Sequence, residues 1–484
     1  MTLPTSPTPT PTPTPSATPT ATLATIDTAS QLKIVNVSTG EVLTVAGGNQ
    51  AAGTAVATAA DNSSDVQRWH VMPMRSGQYN IENMLTHQVI GISNASTAGG
   101  AAAVQWADNG TNDHLWAFYK LSNGNYVLKN ANSGLYLQSD TSGTITQGAR
   151  STSSDTQEWT IDATGAPAYP MPMTVMGTGT GVHDPNMIRD TSGTYWLYGT
   201  HNTLAKSTDL VTFTSVASGD ISPDFSWWAS KNTTGGGGRT DIWAPSVMYA
   251  NGTYYQYYSI PIYDTPSKVG TNQGAEAVIA LATSKNPDGP WTDAGEIISS
   301  CGITAGCTTG FNAIDPAPYI DSAGNWWLTF GSWEDGIHIL QLDPATGLRL
   351  SSNNTLYDIA RRGAGEEGPF IFPQTVGGTH YYYYFAPINE CCQGTNSTYR
   401  IIVGRSTSPT GPFVDRGGID LKDGGGTILL STHGNIFGPG GQSVMEGPTA
   451  PLLVYHYYDG SLNGAPRLGL NKLTFDADGW PHVE

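Results

Sequence analysis

Short runs in which apolar and polar positions alternate, cut by Gly-containing turns, fill the chain from about residue 29 to its end. Runs such as QLKIVNV (31–37), YNIENM (79–84) and YVLKNA (126–131) have the period of two that predicts half-buried β-strands. Three segments between residues 29 and 163 end alike: SSDVQRWHV with Gln67 and Trp69, TNDHLWAFY with His114 and Trp116, SSDTQEWTI with Gln157 and Trp159. Their tryptophans fall 47 and 43 residues apart. A four-strand unit repeated three times predicts a β-trefoil in which each Trp plugs a shared core.

A different repeat runs from about residue 176 onward, five times over. Each unit opens with a Pro-containing turn and an apolar strand, then a Gly turn and an aromatic strand: HDPNMIRDTSGTYWLYGT (183–200), IWAPSVMYANGTYYQYYSI (242–260), IDPAPYIDSAGNWWLTFGS (314–332), EGPFIFPQTVGGTHYYYYFAP (367–387) and GPGGQSVMEGPTAPLLVYHYYDG (438–460). Aromatic strands joined by Gly turns mean antiparallel hairpins, and five units of this length predict a five-bladed β-propeller. A β-sandwich is the rival, but it does not require regular repetition. The expected organisation is all-β: a Pro/Thr-rich disordered linker over 1–28, a trefoil over 29–163, a linker over 164–175 and a propeller over 176–484.

Composition narrows the class. Charged residues are only 12% of 484, the formal net charge is −18, and Gly reaches 58. Helical bundles and coiled coils need Ala, Glu, Lys, Leu and Arg runs that are missing. An acidic chain without a basic block is a poor binder of phosphate backbones, so nucleic acid is not expected as a partner. No run of about 18 apolar residues exists to span a membrane. The tract TSPTPTPTPTPSATPTAT near the start favours polyproline II and has no apolar h-region. It reads as a linker between secreted modules, with an export signal or another module expected upstream. Cys301 and Cys307 bracket a short loop and could pair; adjacent Cys391 and Cys392 could form a vicinal disulfide or stay as thiols. No spacing suggests zinc. Gly235–Gly238 has no following Lys-Ser/Thr or helix, so it is not a phosphate cradle.

Propeller geometry brings residues at the same place in each repeat to one mouth. Asp184, Asp315 and Glu367 each stand at a strand opening, in His183-Asp184-Pro185, Ile314-Asp315-Pro316 and Glu367-Gly368-Pro369. Trp243-Ala244-Pro245 holds this place in the second unit, and the segment before Gly438, with His433, in the fifth. Three acids in register repel one another, which raises pKa values rather than stabilising a fold. Glycosidic bonds are broken by such groups, one carboxyl donating a proton and one carboxylate activating water.

The residues VHDP (182–185), NAIDPAPYID (312–321), FGSW (330–333), EGPFIF (367–372), CCQGTNSTYRIIVGRS (391–406) and HGNIFGPGGQSV (433–444) resemble glycoside hydrolase family 43, and within it the endo-1,5-α-L-arabinanases. The likeness spans the propeller. It implies that Asp184 is the general base and Glu367 the general acid, with Asp315 raising and orienting the acid; Glu366 is the rival for the acid role. It further implies inversion of configuration, for which base and acid stand about 6.5–9.5 Å apart. Trp243 is expected to stack under an arabinofuranosyl ring, Asn312 and Ser332 to bond sugar hydroxyls, and His183 to contact substrate or buttress Asp184. His433 is implied to lie near the axis and help hold a metal ion, a structural calcium, largely through waters. No organic cofactor is expected.

The threefold Gln-x-Trp signature resembles ricin-type lectin domains and carbohydrate-binding module family 13. Those pockets use an acidic residue where this chain has Thr44, Gly91 and Gln138. The second repeat keeps an aromatic with polar neighbours, Trp106, Asp108 and Asn109, as a candidate sugar site. The reading that results is a secreted, monomeric enzyme cutting plant cell-wall arabinan and pectic side chains internally, tethered by its trefoil. The rivals are an exo-acting α-L-arabinofuranosidase or β-xylosidase, and a non-catalytic polysaccharide-binding protein.

Overall fold

The computed structural model describes residues 21–217, 221, 241–261, 277–300, 310–363 and 365–484. Cys301, Cys307, Gly235–Gly238 and residues 1–20 of the Pro/Thr tract lie outside the described residues.

Twelve strands form the trefoil: Ser30–Asn36 to Trp69–Pro73, Tyr79–Asn83 to Trp116–Lys120, and Tyr126–Asn130 to Trp159–Pro167, four in each repeat. Trp69, Trp116 and Trp159 are fully buried. Each indole N–H donates to a carbonyl of its own repeat, Leu43, Ile90 and Leu137, at 2.9, 3.0 and 3.2 Å. The threefold signature is therefore a packing device that also satisfies the one polar atom each Trp carries inward. The domain starts earlier than the sequence suggests. Thr22 and Leu23 pair with Lys120 and Tyr119, and Ile26 is buried with its N–H donating to Tyr79 Oη. The expected linker over 164–175 is no free connector either: the last trefoil strand runs to Pro167, and Ala168 and Tyr169 are buried in the propeller's hydrophobic core.

Five four-stranded antiparallel sheets follow, each built from consecutive strands, as a propeller requires. Their innermost strands are Asn186–Arg189, Trp243–Ala250, Ala317–Ile320, Phe370–Val376 and Ile436–Met445. The second and fourth hairpins turn on Asn251-Gly252 and Gly377-Gly378, with φ of 51°, 71°, 58° and 84°. These are the left-handed pairs of a tight two-residue turn, which match the right-handed twist of the strands. The first and third hairpins use an aspartate instead. Asp190 Oδ1 accepts from the backbone of Ser192 and Thr194, Asp321 Oδ1 from Ala323 and Asn325, and their Oδ2 atoms accept from the Trp196 and Trp327 indoles at 2.8 Å. The fifth blade is wholly C-terminal. The ring is tied by the segment entering blade one, where Met173 N–H donates to Leu470 O and Thr180 O accepts from Leu468 N–H, both at 2.8 Å.

Candidate active site

A cavity of about 350 Å³ opens where the innermost strands begin. The residue two before the start of the continuous pairing of each inner strand, counted after the register shifts in blades two and five, is Asp184, Ala244, Asp315, Gly368 and Gly441 in blades one to five. All five have left-handed backbone, with φ of 49°, 39°, 58°, 51° and 55°, and all five line the cavity. In the three non-glycine cases this conformation costs about 1–3 kcal/mol each, so the surrounding structure must hold it. It does so from the preceding blade. His456 Nδ1 accepts from Asp184 N–H at 3.1 Å, Thr200 Oγ1 from Ala244 N–H at 2.9 Å, and Ser259 Oγ from Asp315 N–H at 2.9 Å.

This ring corrects the expected register in two blades. Glu367 stands one residue earlier than Asp184 and Asp315, level with Trp243 and Ile314; Gly368 is their backbone equivalent. In blade five the equivalent is Gly441 rather than the segment holding His433. A Cβ on Gly441 would meet Asp184 Oδ1 at 2.5 Å and His456 Nδ1 at 2.7 Å, so that place is already filled.

The three acids do converge, since Asp184, Asp315 and Glu367 line the same cavity. Thr200 Oγ1 donates to Asp184 Oδ2 at 2.6 Å, and the His456 ring lies 3.7 Å from Asp184 Oδ1. Burial holds the His456 imidazole down at about 4, against the pull of Asp184, so it is neutral and offers Nδ1 as an acceptor. Ser332 Oγ donates to Glu367 Oε2 at 2.7 Å. Burial, opposed by that bond and reinforced by the charge of Asp184, lifts the Glu367 carboxyl to about 7. Burial, Glu367 and Asp184 push Asp315 well above the carboxylate range, although its Oδ2 accepts from Gly368 N–H at 3.0 Å. Glu367 is thus able to hold a proton at neutral pH beside Asp184, whose charge favours its retention.

The other expected residues separate. Trp243 and His183 line the cavity; the Trp243 indole N–H donates to Asp241 Oδ2 at 2.7 Å, and the His183 ring is 4.6 Å from His456. Ser332 is buried behind the acid and holds Glu367 rather than facing a sugar. Asn312 is not in the cavity wall; its carbonyl accepts from Ile314 N–H. Glu366 is buried, with Oε1 accepting from Tyr384 Oη at 2.6 Å, and does not line the cavity. Cys391 and Cys392 form a vicinal disulfide in the cavity wall, beside Tyr399.

His433 lies elsewhere. It is buried against Tyr169, with Nδ1 2.7 Å from the Ser431 carbonyl, and is no part of the cavity wall. The described side chains that reach metal-bridging distance are instead His183, Asp184 and His456, whose ligand atoms lie within 4.8 Å of one another. His456 Nε2 there is buried without a hydrogen-bond partner.

The trefoil candidates also need correction. Asp108 is buried and ion-paired at 3.3 Å with Arg400 of the propeller, and Asn109 packs against Gly424. The second repeat's acid position, Gly91, has no room: a Cβ would lie 2.3 Å from His114. Trp106 stays partly exposed over Gly53. Thr200, Ser259, His456 and Tyr399 were not singled out by sequence reasoning, whereas the vicinal disulfide was one of the two states expected for Cys391 and Cys392. Thr200 and Ser259 carry a usable signal, because each closes the aromatic run of the second strand in consecutive repeats, in YWLYGT and YYQYYS.

Comparison with known proteins gives relatives for both parts. The family model described as glycosyl hydrolases family 43 matches residues 179–481, and that described as ricin-type beta-trefoil lectin domain-like matches 24–106 and 66–152. The extracellular endo-alpha-(1->5)-L-arabinanase 1 of Bacillus subtilis is 38% identical over 307 residues, covering 62% of this chain and 87% of the relative. The arabinan endo-1,5-alpha-L-arabinosidase A of Aspergillus niger is 36% identical over 317 residues, with 62% and 90% covered. Among solved structures, a family 43 endo-arabinanase from Bacillus licheniformis matches with TM-score 0.54 and 37% identity, over 64% of this chain and 99% of that one. An exo-1,5-alpha-L-arabinanase from a bovine ruminal metagenomic library matches with TM-score 0.54 and 36% identity, over 63% and 97%.

Proposed function

The chain belongs to glycosyl hydrolases family 43, and from that membership and the site we infer how it works: it is an arabinan endo-1,5-α-L-arabinanase whose Asp184 and Glu367 act across one bound linkage. The observation that carries the chemistry is the convergence of Asp184, Asp315 and Glu367 in one cavity with one carboxyl lifted to about 7.

Asp184 takes the proton of the attacking water. Its Oδ2 is occupied by the Thr200 hydroxyl and its backbone is fixed by His456, which leaves Oδ1 to face the water. Glu367 delivers its proton to the leaving glycosidic oxygen, held in place by Ser332. The charge that keeps that proton on Glu367 is that of Asp184; Asp315 anchors the acid's strand, its Oδ2 accepting from Gly368 N–H. Water attacking opposite the leaving group gives inversion at the anomeric carbon. Trp243 offers the flat face on which a furanose ring packs. A structural cation would be held by His183, Asp184 and His456, where it would supply fixed positive charge beside the base.

The substrate reading places the protein outside the cell, on arabinan of plant walls, as a monomer with a carbohydrate-binding trefoil; Trp106 is its remaining candidate contact. No helix among the described residues is long and apolar enough to cross a membrane. The exo-acting neighbour supplies the second reading. Following debranched arabinan by viscosity and reducing ends together separates the two. Endo action drops the viscosity steeply before many ends appear, with oligomers as first products. Release of single arabinose units at nearly constant viscosity would establish exo action instead.

A further inference from the structure

The segment from Asn389 to Arg400 carries three cavity-wall residues, Cys391, Cys392 and Tyr399, and the trefoil grips it near both ends, at Glu390 and Arg400. Arg400 is 1% exposed, and most of its partners belong to the trefoil. Its Nη1 donates to Met72 Sδ at 3.1 Å and pairs with Asp108 at 3.3 Å. Its Nη2 donates to Met74 Sδ at 2.8 Å and to Asn80 Oδ1 at 2.9 Å. From the propeller, the Asn389 side-chain oxygen accepts from Nε and Nη2 at 3.0 and 2.9 Å, in the amide orientation that satisfies both groups. One residue from the disulfide, Glu390 is ion-paired with Arg75 of the trefoil. Thr398 N–H donates to Glu390 O at 2.9 Å, closing the segment on itself.

A buried guanidinium stripped of its counter-charge is strongly disfavoured, and Asp108 is the carboxylate paired with Arg400 among the described residues. Burial alone would raise the Asp108 carboxyl, yet Arg400, His114 and Arg362 hold it below its ordinary value, so the pair is charged. Arg400 adjoins Tyr399 in sequence and pairs with Ile388 across the blade, so its position sets where the cavity wall stands.

We propose that the trefoil is a structural part of the catalytic cavity: Asp108, with Met72, Met74 and Asn80, clamps Arg400 and thereby fixes the wall formed by Cys391, Cys392 and Tyr399. Asp108 and Arg400 are positioning residues. A domain that served only as a tether would change local concentration at a polymer and nothing else. The inference rests on the hydrolase reading above.

The test uses the full chain and a short, soluble α-1,5-linked arabino-oligosaccharide, on which tethering has no effect. Asp108→Asn is expected to lower kcat/KM by about ten- to a hundredfold, the scale of loss that follows displacement of a binding wall by about 1 Å, with KM rising. Asp108→Glu, which keeps the charge, recovers most of it. Should Asp108→Asn fail to fold, Arg75→Ala at the exposed rim pair is read instead, with KM rising about threefold at unchanged kcat. A folded Asp108→Asn chain with wild-type kcat/KM overturns the proposal, as does wild-type KM in Arg75→Ala when the first variant does not fold. A wild-type chain that releases nothing from the oligosaccharide overturns the hydrolase reading itself.

Discussion

At Glu367 burial and the charge of Asp184 win over the Ser332 hydroxyl, and the carboxyl keeps its proton up to about pH 7. Since the protonated form is the one that can donate, the alkaline limb of kcat should fall as pH rises through that value. Ser332 stabilises the anion, so removing its hydroxyl raises the acid's pKa further. Ser332→Ala is therefore expected to move the alkaline limb of kcat to higher pH, measured on a soluble oligosaccharide. A limb moving down would show that Ser332 does not act on the acid. Most of this was legible in the residues: the acids stand at strand openings, and their division into base and acid came with the family likeness. The one-residue offset of Glu367 was not, because Asp-Pro and Glu-Gly-Pro look equivalent until the backbone shows which residue turns left-handed. His456 was hidden for another reason. Within the run VYHYYD it reads as one more packed ring, and only the closed propeller brings it beside Asp184.

The hairpins of the inner blades are elements whose turn chemistry was readable, since Asn-Gly, Gly-Gly and Asp-x-x-Gly each prescribe a known backbone. In blade three the aspartate does more than turn the chain. Asp321 accepts from the Ala323 and Asn325 backbone, the Asn325 amide and the buried Trp327 indole. Asp321→Ala strands that indole N–H and should destabilise the protein by about 1–3 kcal/mol in denaturant unfolding, leaving kcat of the folded enzyme unchanged. A neutral effect on unfolding would mean that water replaces the aspartate. Trefoil boundaries were harder to read than hairpins. Residues 22–28 follow a Pro/Thr tract and have no alternation long enough to predict a strand, yet Ile26 finds a place in the core.

Across the whole molecule, two repeat patterns of different period explain two domains, and each was visible before any coordinates. Their relation was not, because contacts such as Asp108 with Arg400 join distant parts of the chain and leave no local pattern. The expected sugar contact Asp108 failed for that reason: a polar residue after an aromatic suits a sugar pocket and a domain seam equally well. What the closed ring achieves is the meeting of Asp184, Asp315 and Glu367 at one cavity, and the central claim is that base and acid there act on opposite sides of a single linkage. Proton NMR of the first-formed product from debranched arabinan tests it most directly, with Glu367→Gln as control. The account predicts that the new reducing ends appear first as the inverted β anomer and equilibrate afterwards, while the control loses about 10²- to 10⁴-fold in rate. New ends formed first as the α anomer, or a control as fast as the wild type, would contradict it.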